Sequence, residues 1–392
     1  MATNIERALY PDTQGMGEGA DAPVAQAADV EVEIEHLADG GVTIQFGEDP
    51  TDTGDIPFDA NLAEYMDAGE LLTLASDLIT SIGDDEMGRA DWERTYKKGL
   101  ELLGLKIEER TTPWAGACSV ASPLITEAVV RFQSETVTET FPARGPVRTR
   151  ILGRETPAKK EAAARIEEDM NYQLTERMTE FRPEHERLLW SLPAAGSAFK
   201  KVYDDPNLGR PTSIFVPAED VLLPYGVSDI NTACPRLTHR MRCTKNDFKK
   251  YVANSFYRDV SLPDPTRTST DIQDAKDRQT GFSSINDDRY TFYEVVTEID
   301  LPGFEDMNAA CECTGIARPY IITIDKDSSE VLAIRRNWKE GDKLFRARQH
   351  FVHYQYIPGF GAYGFGLFHL IGGYARPTHQ ARGCPHRAGR VP

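Results

Sequence analysis

At 392 residues, with 40% apolar side chains, the chain is long enough for two or three domains and apolar enough to bury a core. No run approaches the ~20 apolar residues of a membrane span, and Met1-Ala2-Thr3-Asn4-Ile5-Glu6 lacks the layout of a secretory signal, so an intracellular or virion protein is expected. Residues 1–90 hold 21 Asp and Glu against Arg7 and Arg89, which concentrates a charge of −19 there and leaves the body at +1; a near-neutral body argues against tight, counterion-driven DNA binding.

In chain order, residues 1–58 read as an acidic, largely flexible arm, too poor in apolar surface to offset its ordering entropy. One alternating run in it, Val42-Thr43-Ile44-Gln45-Phe46, is able to pair as a strand. A helical region spans 59–195. Leu62, Met66, Leu71, Leu74, Leu78 and Ile82 recur at helical intervals up to a break at Gly83-Asp84-Asp85. Trp92, Tyr96, Leu100 and Leu103 line a second helix. Ser122-Pro123 opens a third and Thr156-Pro157 a fourth, each with a hydroxyl cap and a proline at the first helical position. The fourth carries Ile166, Met170, Leu174, Met178 and Phe181 down one stripe. Arg182-Pro183 restarts a helix through Leu192.

After Pro193 the texture changes to strands, and 196–358 reads as an antiparallel β-rich region. Phe199–Tyr203 and Ser213–Pro217 flank the turn signal Asp204-Asp205-Pro206-Asn207-Leu208-Gly209. A mobile loop is expected over 263–288, with strands resuming at Tyr290–Val296 and a hairpin from Tyr320–Ile324 to Val331–Ile334. A Gly/aromatic turn and a helix (Leu367–Tyr374) fill 359–376. Helices layered on antiparallel sheet and hairpins define an α+β fold. Residues 377–392 form an aberrant basic tail: no acidic residue follows Asp342, while seven Lys and Arg do. A nucleic-acid tail and a reading-frame change in a GC-rich gene both yield such a composition, and the second is preferred.

Candidate chemistry is sparse. Gly359-Phe360-Gly361-Ala362-Tyr363-Gly364 spells G-x-G-x-x-G between a strand (Phe351–Ile357) and a helix, as in a dinucleotide site. Yet Phe360, Tyr363 and Phe365 would crowd a phosphate, and no later Asp or Glu is present to take the ribose hydroxyls. His350 and His353, with His369 as a third ligand, invite a metal reading, but positions three apart on a strand face opposite ways. Gly196-Ser197-Ala198-Phe199-Lys200-Lys201 lacks P-loop spacing. Cys118, Cys234, Cys243, Cys311, Cys313 and Cys384 include only one close pair, short of a zinc pattern and read as free thiols. Acidic runs such as Glu108-Glu109 and Glu167-Glu168-Asp169 read as solvated helix surface. No catalytic, cofactor or metal site is therefore expected.

Several blocks in order resemble the portal (head–tail connector) proteins of short-tailed bacteriophages. They are Asp91-Trp92-Glu93 through Tyr96–Gly104; Ser122-Pro123-Leu124 through Glu127–Ser134, then Phe141-Pro142 and Gly145-Pro146-Val147; Met170–Leu174; Gly196–Tyr203; Val216–Asp220; and Tyr363–Gly373. Together they span Asp91 to Tyr374. The resemblance implies a non-enzymatic subunit of a ring, usually a dodecamer, at one capsid vertex, with a wing-and-stem architecture. Such a ring docks the terminase large subunit, the major capsid and scaffolding proteins and tail adaptor proteins, and passes double-stranded DNA without reading its sequence. Family members continue well beyond the Gly372-Gly373 block, so the resemblance also implies C-terminal truncation. Rival expectations are a nucleotide-dependent enzyme using Gly359–Gly364 and another virion component from the tail or the internal head.

Overall fold

The computed structural model describes residues 56–105, 123–231, 234–265, 270–281, 288–307 and 312–372, and the backbone of 32–36 and 42–46. The chain divides into two compact units, Met1–Gly54 and Asp55–Pro392. In the first, Val32–His36 (β1) and Val42–Phe46 (β2) pair antiparallel, from Val32 opposite Phe46 to His36 opposite Val42. The alternating run at Val42 is thus a strand. Of the rest of the acidic arm only residues 56–58 are described, and there Ile56 and Phe58 pack against the core of the second unit rather than extending the arm.

The helices of the second unit are α1 (Ala68–Gly88), α2 (Ala90–Glu101), α3 (Leu124–Thr140), α4 (Pro157–Tyr172), α5 (Phe181–Ala195), α6 (Lys245–Ala253), α7 (Asp271–Thr280) and α8 (Leu367–Leu370). Its strands are β3 (Ser197–Asp205), β4 (Arg210–Pro217), β5 (Val221–Leu222), β6 (Arg236–Thr244), β7 (Arg289–Ile299), β8 (Arg318–Asp325), β9 (Val331–Arg336) and β10 (Phe351–Gln355). Two antiparallel sheets result, of order β10-β3-β4 and β5-β6-β7-β8-β9. With the helices they make an α+β fold.

Period-two alternation sends each strand's side chains to two different cores. On β7, Tyr293 and Val295 pack beneath Leu71, Ala75, Leu78 and Ile82 of α1. Tyr290 and Phe292 turn the other way, toward Phe248 of α6 and Tyr257. On β3, Ala198 joins Leu188, Leu189 and Leu192 of α5, whereas Phe199 packs with Val216, Leu237 and Phe351. The smaller sheet is thus covered by α5 on one face and shares a core with the larger sheet on the other. Each fully buried aliphatic or aromatic chain in these clusters contributes about 1.5–3 kcal/mol.

Five local expectations need correction. The first helical stretch is a 3-10 turn at Leu62–Glu64 followed by α1, which starts where Asp67 caps the Gly69 amide (2.9 Å) and runs unbroken through Gly83-Asp84-Asp85. Gly83 has open space around it, and the Asp85 carboxylate is held by Arg236 (2.7 Å), so neither stops the helix. Pro123 itself stands at the cap of α3 without a side-chain hydrogen bond, and Ser122 lies outside the described residues. The stripe from Ile166 to Phe181 is not one helix: Gln173–Arg177 forms a π turn, closed by Met178 N donating to Gln173 O (2.8 Å), which throws the register off. The expected loop 263–288 contains α7, capped by Thr270 and ended by Gly281 at φ +77°, with Ile272 and Ala275 buried. The last helix is a single turn, Leu367–Leu370. By contrast, Thr156 does cap α4, accepting from the Lys159 amide (3.3 Å), with Pro157 at the first position.

Candidate functional site

The glycine motif is a packing device. Gly196 ends α5 in the left-handed region (φ +92°), and the strand-like segment Gly364–Gly366 runs across it. A Cβ on Gly196 would sit 2.3 Å from Gly364 O, and one on Gly366 would sit 2.4 Å from Ala194 O. Three amides at the end of the motif are already used. Gly364 N donates to Ser197 Oγ (2.8 Å), Phe365 N to Ile357 O (2.8 Å) and Gly366 N to His369 Nδ1 (3.2 Å). Tyr363 stacks on Trp92 of α2 (4.8 Å) and donates its hydroxyl to Val221 O (2.7 Å). Beside it Arg89, buried at the α1–α2 joint, donates to Val221 O (2.8 Å) and Ala218 O (3.2 Å). The block therefore ties the glycine turn to α2 and to the β4–β5 connection.

The candidate ligand histidines have separate partners. His350 Nε2 contacts Asn337 Oδ1 (2.9 Å), while His353 Nε2 contacts Ser197 Oγ (3.2 Å) and its ring stacks on Phe199. Burial lowers the basicity of all three imidazoles, that of His353 to about 4. Among the described residues no three His, Cys, Asp or Glu side chains gather as a metal site. Cys234, Cys243 and Cys313 are free thiols; Cys118, Cys311, Cys384 and the tail 377–392 lie outside the described residues.

Two adjacent lysines on β3 point to opposite faces and are both buried. Lys201 reaches across to the larger sheet, where its ammonium donates to both oxygens of Glu294 on β7 (2.7 Å each). The same carboxylate meets His239 Nδ1 on β6 (3.1 Å). Burial would raise the Glu294 pKa, but the Lys201 charge and the His239 hydrogen bond outweigh it and bring it to about 2. Lys201 and His239 of this triad border a cleft of about 750 Å³, lined also by Tyr203, Arg240 and Tyr251. Lys200, on the α5 side, sits 3.7 Å above the Phe181 ring and 3.3 Å from His185 Nδ1. Burial lowers its pKa to about 8, and burial with the Lys200 charge lowers that of His185 to about 4.

The surface with the clearest unmet need is α4. None of its 16 residues is buried, while Ile166 (57%), Met170 and Tyr172 are exposed. Hydrogen bonds hold it instead, to an extended strap over residues 145–154. Asn171 accepts from Val147 N (3.0 Å) and donates to Val147 O (3.1 Å), and Glu167 Oε2 accepts from both Thr149 N and its hydroxyl (3.0 Å each). Gly145, at φ +94°, begins the strap where a Cβ would strike Asn171 at 2.4 Å. With Val147, Thr149 and Ile151 half-buried, the alternate positions Arg148, Arg150, Leu152 and Arg154 are exposed.

Sequence reasoning missed the Arg89 joint, the Lys201–Glu294–His239 triad and the strap. For the first two no local pattern exists, since the partners are 55 to 132 positions apart. The strap had a legible signal: Phe141–Arg154 holds four arginines and no acid. Comparison with known proteins found no protein-family model that matches the chain, and no curated protein matches it significantly.

Proposed function

We propose that this chain is a portal-type subunit. Copies of it close into a ring at a capsid vertex, through which double-stranded DNA is packaged and later ejected. The ring docks the terminase large subunit, the capsid and scaffolding proteins and tail adaptors, and its place is the virion. The observation that carries the reading is α4: a 16-residue helix with no buried side chain that still carries Ile166, Met170 and Tyr172 outward. Single exposed apolar residues are ordinary. A whole helix whose apolar positions find no cover among the described residues is not, and a neighbouring copy is the economical cover. Head-to-tail contacts of that kind generate rings when the rotation closes. The ordered resemblance from Asp91 to Tyr374 supports the same reading, and the α+β fold is compatible with it.

The rival reading, a nucleotide-dependent enzyme at Gly359–Gly364, loses support because the amides of Gly364, Phe365 and Gly366 are consumed by protein acceptors. Ring formation is tested directly by negative-stain imaging and mass photometry of the full chain. Closed rings are expected for the natural sequence and monomers for Ile166→Asp/Met170→Asp with unchanged circular dichroism. Monomers at every concentration for the natural sequence would sink the proposal.

A further inference from the structure

The strap beside α4 carries a second, electrostatic feature. Arg144, Arg148, Arg150 and Arg154 are exposed, and among the described residues none of the four guanidinium groups has a hydrogen-bond or ion-pair partner. From Phe141 to Arg154 no Asp or Glu interrupts them, and Lys159 follows exposed on the first turn of α4. Of the neighbouring carboxylates, Glu155 pairs with Lys160 (2.9 Å), and Glu167 accepts from the Thr149 amide and hydroxyl and is lowered in pKa first by those hydrogen bonds and then by the charges of Arg148 and Arg144. The strap is tied at Val147 by Asn171 and at Thr149 by Glu167, and Val147, Thr149 and Ile151 are half-buried while Arg148, Arg150 and Arg154 are exposed.

We infer that this strap is a contact surface for the phosphate backbone of a double-stranded nucleic acid. The planar guanidinium matches a phosphate through two parallel hydrogen bonds, which a lysine ammonium cannot do. The cations here are arginines, three on the strap and Arg144 immediately before it. Their number is small, so the contact is weak, and contacts to phosphate carry no sequence information directly. The choice of duplex DNA over an acidic protein rests on the portal reading; the polyanion-binding chemistry itself does not.

The test uses the full chain in its assembled state and a fluorescent 30-base-pair duplex, with affinity followed by anisotropy from ~50 to ~200 mM salt. Each phosphate contact contributes about 0.9 to the slope of log affinity against log salt. The variant Arg144→Gln/Arg148→Gln/Arg150→Gln/Arg154→Gln is expected to lower that slope by about 3–4. It is also expected to weaken binding at least about tenfold at low salt. Circular dichroism and ring counts are expected to be unchanged. An unchanged slope, or no duplex binding by the natural sequence, overturns the inference. So does competition by polyglutamate as strong as by DNA at equal charge, which would make the partner an acidic protein. Rings without strap-dependent binding remove this inference alone. Strap-dependent binding by a chain that never forms rings removes the portal reading and leaves the strap's chemistry standing.

Discussion

Gly196 shows how one residue type fixes a crossing of two segments. Its φ of +92° excludes most side chains, and the backbone of Gly364–Gly366 fills the space where a Cβ would stand. Gly209, in the β3–β4 turn, has positive φ (+58°) but open surroundings. The two separate conformational strain from steric collision. Gly209→Ala should cost about 1 kcal/mol, the left-handed penalty alone. Gly196→Ala should cost well over about 2 kcal/mol, because the crossing backbone must also move. Urea unfolding of the two variants checks this; equal losses would mean that the Gly364–Gly366 segment yields freely. The G-x-G-x-x-G spelling was legible in the sequence, and so was its reading as an aromatic turn. Its partner Gly196 was not, because 168 positions separate it from Gly364 and no periodicity records such a contact.

Among the elements, β3 and β7 are joined by a buried ion pair. Lys201 and Glu294 are each nearly sealed from water, so removing one strands the other charge. Lys201→Met should therefore destabilise by about 3–5 kcal/mol, more than the lost contact alone would suggest. The double variant Lys201→Met/Glu294→Gln should recover part of that loss in the same urea assay. No recovery would mean that Glu294 is solvated in the single variant. Helix α7 makes a related point. Its residues are polar enough to read as a loop, yet Ile272 and Ala275 enter the core formed by Tyr96, Leu100 and Phe368, and Lys276 pairs with the buried Glu219. The local signal was present in Thr270-Asp271-Ile272-Gln273, a capping pattern with glutamine at the third helical position.

For the whole molecule, several buried groups prefer the protonation state of neutral pH, and this sets the direction of its acid response. His185 and His353 titrate near 4 in the folded chain, against ~6.5 when unfolded. Between those values the unfolded chain binds more protons, so stability falls as pH drops from ~6.5 to 4. Glu294, at about 2 when folded against ~4.3 unfolded, extends the fall from ~4.3 downward. The urea midpoint should decline over the first window, and His353→Gln should flatten that decline; a midpoint constant from pH 6.5 to 4 would contradict the buried neutral state. The average charge of the body misleads at this scale. A sum near +1 hides the four-arginine strap, since cations clustered on one segment are cancelled on paper by acids elsewhere.

Periodicity, turn chemistry and caps were enough to place the α+β class, the helices at Trp92, Leu124 and Pro157 and the hairpins β3–β4 and β8–β9, because those signals act between residues a few positions apart. Only the tertiary structure decided which apolar stripes are covered. The stripe of α1 lies under a sheet, whereas that of α4 faces outward, although both look alike as spacing. Burial is a property of what the rest of the chain brings to a face, and the described residues bring no cover to α4.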